Sequence, residues 1–164
     1  PYVQGALLAA RQRGATTIFI ACVPQTQVRL DVDVDIRLLV GPEILAGSTR
    51  LKAGTVTKLA LNTLSTGVMV KLGKVYGNRM VDVAVTNSKL LDRALRILQD
   101  LTDLDREAAS ILLEKSDRQV KLALLMHWAG VTREEGDRLL AAHQGNLRQA
   151  VKASREIEEE GDRS

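Results

Sequence analysis

GPEILAGSTRLKAGTVTKLALNTLSTGVMVKLGKVYGNRMVD, residues 41–82, is the stretch on which the reading of this chain turns. A loop containing glycine and proline gives way at Gly47-Ser48-Thr49-Arg50 to a long apolar segment, which closes on Gly67, Gly73 and the turn Lys74-Val75-Tyr76-Gly77-Asn78. The pattern predicts one long helix over residues 49–72. Leu51, Val56, Leu59, Ala60, Leu61, Leu64, Val68 and Val70 cover most of its circumference, so this helix is expected to be largely buried. Ser48 or Thr49 can cap its start, where first-turn N–H groups have no partner within the helix. The helix dipole favours negative charge there, and Arg50 and Lys52 add two cations within one turn. Two readings of the layout stand side by side: a phosphate site, or an ordinary capped helix with solvated basic residues.

The side chains of this stretch carry the same ambiguity. Arg50 can clamp a phosphate bidentately or pair with a carboxylate of its own chain. Lys52 gains nothing from the dipole at a first turn, which points to a bound anion or a nearby acid. Glu43 is the one candidate for acid/base chemistry in the loop, and it can equally hold Arg50 or a backbone N–H. The small residues Ala53, Gly54 and Thr55 permit close approach by a ligand, or simply tight helix packing.

Upstream, Val3, Leu7, Leu8 and Ala10 recur at helical spacing over residues 1–13, with Gly14 as a stop. Residues 15–23, ATTIFIACV, are β-branched and continuously apolar, as in a buried parallel strand, and residues 35–40, DIRLLV, read as a second short strand. Helix, strand, loop, strand, helix implies an α/β architecture with a parallel sheet. Ligands gather at the carboxyl ends of such strands, and residues 41–50 lie at one.

Downstream, residues 87–101 form an amphipathic helix with Leu90, Leu91, Ala94, Leu95 and Leu98 inward. After Thr102 the texture changes to three or four short helices, with Ser116-x-x-Gln119 and Thr132-x-x-Glu135 as capping boxes and Gly130 and Gly145 as breakers. Leu112, Leu113, Val120, Leu124, Leu139, Leu140, Leu147 and Val151 are expected to make a compact helical core. The expected organisation is therefore an α/β part over residues 1–102, a small helical bundle over 103–157 and a frayed tail over 158–164.

Composition excludes several function classes. The 164 residues suit one ordinary domain, or a domain with a small appendage. Aromatic content of 2% argues for an aliphatic core and against single-stranded nucleic-acid binding, which stacks bases on rings. A net charge of +3, from basic residues spread along the chain, gives no support for a DNA or membrane surface. Cys22 stands alone, so no internal disulfide forms, which fits a reducing cytosol, and the thiol is expected to be buried and inert. His127 and His143 lack acidic or cysteine partners at ligand spacing, so no metal site is expected. Asp31, Asp33 and Asp35 alternate with valines and are expected to share one solvated face.

GPEILAGSTRLKAGTVTKLALN followed by LSTGVMVKLGKVYGNRMVDV resembles the signature of N-acetylmuramic acid 6-phosphate etherases, and the similarity extends from about Pro1 to about Val151. The glucokinase regulatory protein, a related sugar-phosphate binder, shares much of the GSTRLKAG portion. The resemblance implies a sugar isomerase (SIS) type of parallel-sheet sandwich and a helical module similar to a ubiquitin-associated (UBA-like) bundle. It implies cleavage of the lactyl ether of N-acetylmuramic acid 6-phosphate to N-acetylglucosamine 6-phosphate and D-lactate, without metal or organic cofactor, in a cytoplasmic homodimer. Ser48, Thr49, Arg50 and Lys52 then become phosphate or substrate contacts. Lys89 joins them, because Asn87-Ser88-Lys89-Leu90 matches the family's Asn-x-Lys-Leu segment. The family's two catalytic glutamates belong to its preceding half, with its main serine-rich phosphate loop. Pro1-Tyr2-Val3 corresponds to residues just after the family's Ser-Gly-Arg-Thr segment, so the chain is expected to be a C-terminal half that lacks the proton chemistry. A sugar-phosphate sensor without turnover and a sugar-phosphate isomerase are the alternatives.

Overall fold

The computed structural model describes the backbone of residues 1–161 and the side chains of residues 1–156. The protein is mixed α/β, with seven helices and two small sheets among the described residues. It divides into two compact units, Pro1–Thr66 and Gly67–Ser164. The division by packing thus falls at Thr66–Gly67, while the change in sequence texture falls at Thr102.

In the first unit, α1 (Tyr2–Gln12) ends where Gly14 takes φ +74°. The apolar run that follows becomes β1 (Ile18–Ala21), and β2 is Val34–Arg37. The two strands pair in parallel with Ile18 opposite Val34 and Ala21 opposite Arg37, as the order of elements required. Thr17 and Asp33 lock the entry to the pair: the Thr17 N–H and hydroxyl both donate to the Asp33 carboxylate at 2.7 Å. The Arg37 guanidinium lies 5.0 Å from the Phe19 ring centroid and donates to Asp35 and to the Val23 and Val28 carbonyls. The aspartates therefore do not form the uniform solvated row expected of them. Asp33 is tied to Thr17 and Asp35 to Gln25 and Arg37, and Asp31, the most exposed of the three, pairs with Arg11.

Helix α2 covers Lys52–Lys71 and corrects the expectation that it would be buried, since none of its residues is. Leu59 is 59% exposed and Val70 53%. A helix whose apolar residues cover most of its circumference is shielded only when neighbours surround most of it, and a sheet two strands wide cannot do that. Every buried apolar side chain among the described residues lies at Val81 or beyond.

The second unit holds the core. Lys74–Asp82 folds into a hairpin, β3 (Val75–Tyr76) with antiparallel β4 (Arg79–Met80), around the loop Gly77-Asn78. Helix α3 (Ser88–Leu101) starts at Asn87, whose side chain accepts the Leu90 N–H, and it buries Ala94, Leu95, Ile97 and Leu98 on one face. Helices α4 (Arg106–Lys115), α5 (Val120–Ala129), α6 (Arg133–Ala142) and α7 (Leu147–Gly161) follow. Helix α5, VKLALLMHWA, is apolar nearly all round because it is central, packed by α3, α4, α6 and α7. Val120, Leu122, Leu124 and Leu125 are buried there, and Gly136 lets α6 approach so closely that a Cβ would lie 2.6 Å from Leu122 Cδ1.

Of the two capping boxes expected, Thr132–Glu135 forms in full. Ser116 instead closes α4 with its hydroxyl donating to the Leu113 carbonyl, and Gln119 starts α5 without a side-chain cap. Ser116 is fully buried, so its oxygen must be satisfied locally and cannot reach the next helix. The helical backbone extends through Gly161, and residues 162–164 of the expected frayed tail lie outside the described residues.

Candidate functional site

The site read from the sequence is the loop between β2 and α2, within the first unit. Strand pairing ends with the Leu38 N–H donating to the Ala21 carbonyl, and the chain then runs through Gly41-Pro42-Glu43 toward the start of α2. Ser48 N–H donates to the Leu45 carbonyl at 3.0 Å and Leu51 N–H to the Ser48 carbonyl at 3.2 Å, so residues 45–51 coil as successive turns. The helix proper begins at Lys52, three residues later than expected.

Its first N–H groups are occupied by the chain's own anion. Glu43 Oε2 accepts from the Lys52 N–H at 2.8 Å and Oε1 from the Ala53 N–H at 3.0 Å. The Ala53 N–H, then that of Lys52, then the Lys52 charge hold the Glu43 carboxyl below the usual glutamate range. Lys52 Nζ donates to the Pro42 carbonyl at 3.0 Å, fastening the loop from the other side. The helix start is thus a built anion position, as dipole and free N–H groups require, and a carboxylate nine residues upstream fills it. Neither the Ser48 nor the Thr49 hydroxyl caps this turn among the described residues, which corrects the expectation that one of them would.

Among the described residues Arg50 makes no ion pair, and it is exposed together with Thr49, while Ser48 is half-buried. The loop therefore presents a hydroxyl pair and a guanidinium beside a turn whose Lys52 and Ala53 N–H groups already have an acceptor. Cys22 follows β1 and is half-buried, not buried, with Sγ 3.4 Å from Thr57 Oγ1 and 3.6 Å from the Ala53 carbonyl. Lys89 belongs to the second unit, exposed in the first turn of α3. Sequence reasoning left open whether Glu43 holds Arg50 or a backbone N–H; it accepts two backbone hydrogen bonds, for which the further signal was a Gly-Pro-Glu turn ahead of a helix lacking any acidic residue in its first turn.

The chain is 78% identical over 151 residues to an N-acetylmuramic acid 6-phosphate etherase of Nostoc punctiforme, covering 92% of this chain and 49% of that protein. It is 75% identical over 153 residues to one of a Picosynechococcus species and 70% identical over 152 residues to one of Trichodesmium erythraeum, covering 93% of this chain in each case and 51% and 50% of those proteins. The chain spans about half the length of the curated relatives it matches. A family model described as the C-terminal lid domain of glucokinase regulatory protein matches residues 77–124. The resemblance carried by residues 41–82 therefore holds over nearly the whole chain.

Proposed function

We propose, on this relationship to N-acetylmuramic acid 6-phosphate etherases, that the chain supplies part of the sugar-phosphate site of such an enzyme. The carrying observation is identity of 78% across 92% of the chain, including the whole Gly41–Asp82 stretch. In this reading the reaction eliminates D-lactate across C2–C3 of the open-chain sugar: the C2 proton leaves, the C3–O bond breaks, and water then adds to give N-acetylglucosamine 6-phosphate. Ser48, Thr49, Arg50, Lys52 and Lys89 contribute phosphate or substrate contacts. The acid and base are two glutamates outside this chain. Glu43 is assigned to structure, since both its oxygens serve the start of α2 and its low pKa disfavours carrying a proton. The parallel β1–β2 pair supports an SIS-type sandwich, α4–α7 support a UBA-like module, and a cytoplasmic homodimer completes the reading. No described helix is long and apolar enough to cross a membrane.

A second reading, a sugar-phosphate sensor without turnover, is favoured by the match of residues 77–124 to a regulatory protein's lid domain. Calorimetric titration with N-acetylglucosamine 6-phosphate, beside the unphosphorylated sugar, tests the shared part. Phosphate-dependent binding that Arg50→Ala weakens is the expected result. Binding unaffected by Arg50→Ala overturns the assignment of the loop, and lactate release by the purified chain overturns the assignment of the proton chemistry elsewhere.

A further inference from the structure

The second unit carries an arginine-lined cleft that the proposed function does not use. It is an open cleft between the β3–β4 hairpin and α3, with a volume of about 560 Å³, lined by Asn78, Arg79, Arg93, Arg96, Gln99 and Asp100 among others. Arg93, Arg96 and Asp100 stand at i, i+3 and i+7 and so share one face of α3, while Arg79 follows the tight Gly77-Asn78 loop.

The charge inventory here does not close. Asp92 serves two guanidiniums at once, Arg96 at 2.9 Å and Arg106 at 2.7 Å, and Asp100 serves Arg79 at 2.7 Å. Arg93 makes no ion pair among the described residues. Three arginines (79, 96 and 106) thus share two carboxylates and Arg93 has none, while the cleft lining itself sets Arg79, Arg93 and Arg96 against Asp100, a surplus of two positive charges there. Like charges three apart on a helix repel, so this row is a local cost that a ligand can relieve. Fork-shaped guanidiniums match tetrahedral oxyanions bidentately, and the Asn78 and Gln99 amides add neutral donors. The volume falls within the range of small-molecule sites and exceeds what a bare phosphate ion fills.

We propose that this cleft binds a phosphorylated small molecule, whose phosphate-monoester dianion neutralises the Arg79–Arg93–Arg96 surplus. The site stands on the second unit alone and does not depend on the function proposed for the Gly41–Ala53 loop.

The test uses the whole chain with ¹⁵N-labelled arginine, titrated with glycerol 3-phosphate at constant ionic strength, beside glycerol and the dicarboxylate malonate. Saturable shifts of the Arg93 and Arg96 Nε–H resonances are expected with glycerol 3-phosphate, none with glycerol, and weaker ones with malonate. Arg93→Ala weakens binding about tenfold, the loss of one charge-assisted bidentate contact. Arg138→Ala, an exposed control on α6, and Arg50→Ala leave it unchanged. Non-saturating shifts, malonate binding as tightly as the phosphate ester, or equal weakening by Arg93→Ala and Arg138→Ala would overturn the proposal. Loss of the shifts in Arg50→Ala would overturn it as well, by assigning them to the loop.

Discussion

Gly73 and Gly77 both take left-handed backbone conformations, with φ +65° and +57°, yet alanine at the two positions has different consequences. At Gly77, the first residue of the hairpin loop, an added Cβ meets nothing within 4 Å. Gly77→Ala therefore carries only the backbone term, roughly 1–2 kcal/mol for a non-glycine residue in this region. Gly73 ends α2: its N–H donates to the Val70 carbonyl and the Lys74 N–H to the Met69 carbonyl, the two bonds of a Schellman close. A Cβ there would sit 2.8 Å from Asn146 Cα, and backbone cannot rotate away. Gly73→Ala adds an overpacking term of roughly 1–3 kcal/mol to the same backbone term. Trp128, the only tryptophan, stacks on Tyr76 with centroids 4.9 Å apart and reports the second unit directly. In urea, with a slope of about 1–3 kcal/mol per M, the Trp128 midpoint should fall by about 0.5–1 M in Gly77→Ala and by about twice that in Gly73→Ala. Equal shifts in the two variants would refute the close approach of Asn146 to the end of α2.

Two further predictions concern helix starts. Glu43 has its folded pKa depressed, so the stability it lends to the start of α2 is present above the ordinary glutamate pKa and lost as pH falls through the lower folded value. Carboxyl-carbon NMR should place the Glu43 midpoint below the ordinary range, with Lys52 and Ala53 amide exchange accelerating as it protonates; an ordinary midpoint refutes the paired hydrogen bonds from these N–H groups. Thr132→Ala removes a hydroxyl that takes part in the α6 capping box, accepting from Glu135 N–H at 3.3 Å. It should cost about 1 kcal/mol, read as a lowered Trp128 urea midpoint, and an unchanged midpoint would show that the box adds nothing to the folded state.

Elements with a strong local signal were legible in the sequence. α3 follows from the i, i+3, i+4 row of leucines and the Asn87 cap, and the parallel pairing of β1 with β2 follows from two apolar runs separated by a loop and followed by a helix. The short β3–β4 hairpin was not, because two-residue strands carry no periodicity, and only the Gly77-Asn78 turn betrayed it. The candidate loop was legible as an anion position, but its occupant was not. Ser48 and Thr49 stand where caps usually stand, and only the path of the chain from β2 brings Glu43 to the Lys52 and Ala53 N–H groups.

The sequence by itself determined what depends on near neighbours along the chain: which segments are helical or extended, where glycines end them, and kinship through a long run of matching residues. It also determined that apolar residues cover most of the circumference of α2. Only the tertiary structure decided which of that apolar surface is covered, because burial depends on elements distant in sequence. Leu98, Leu113 and Leu124 are buried from α3, α4 and α5, while Leu59 and Val70, equally apolar, stay exposed. The same holds for charge. Asp92, Asp100, Arg79 and Arg106 are spread along the chain, and only the packed hairpin and helices show that two carboxylates are shared among three arginines while Arg93, among the described residues, is left without one.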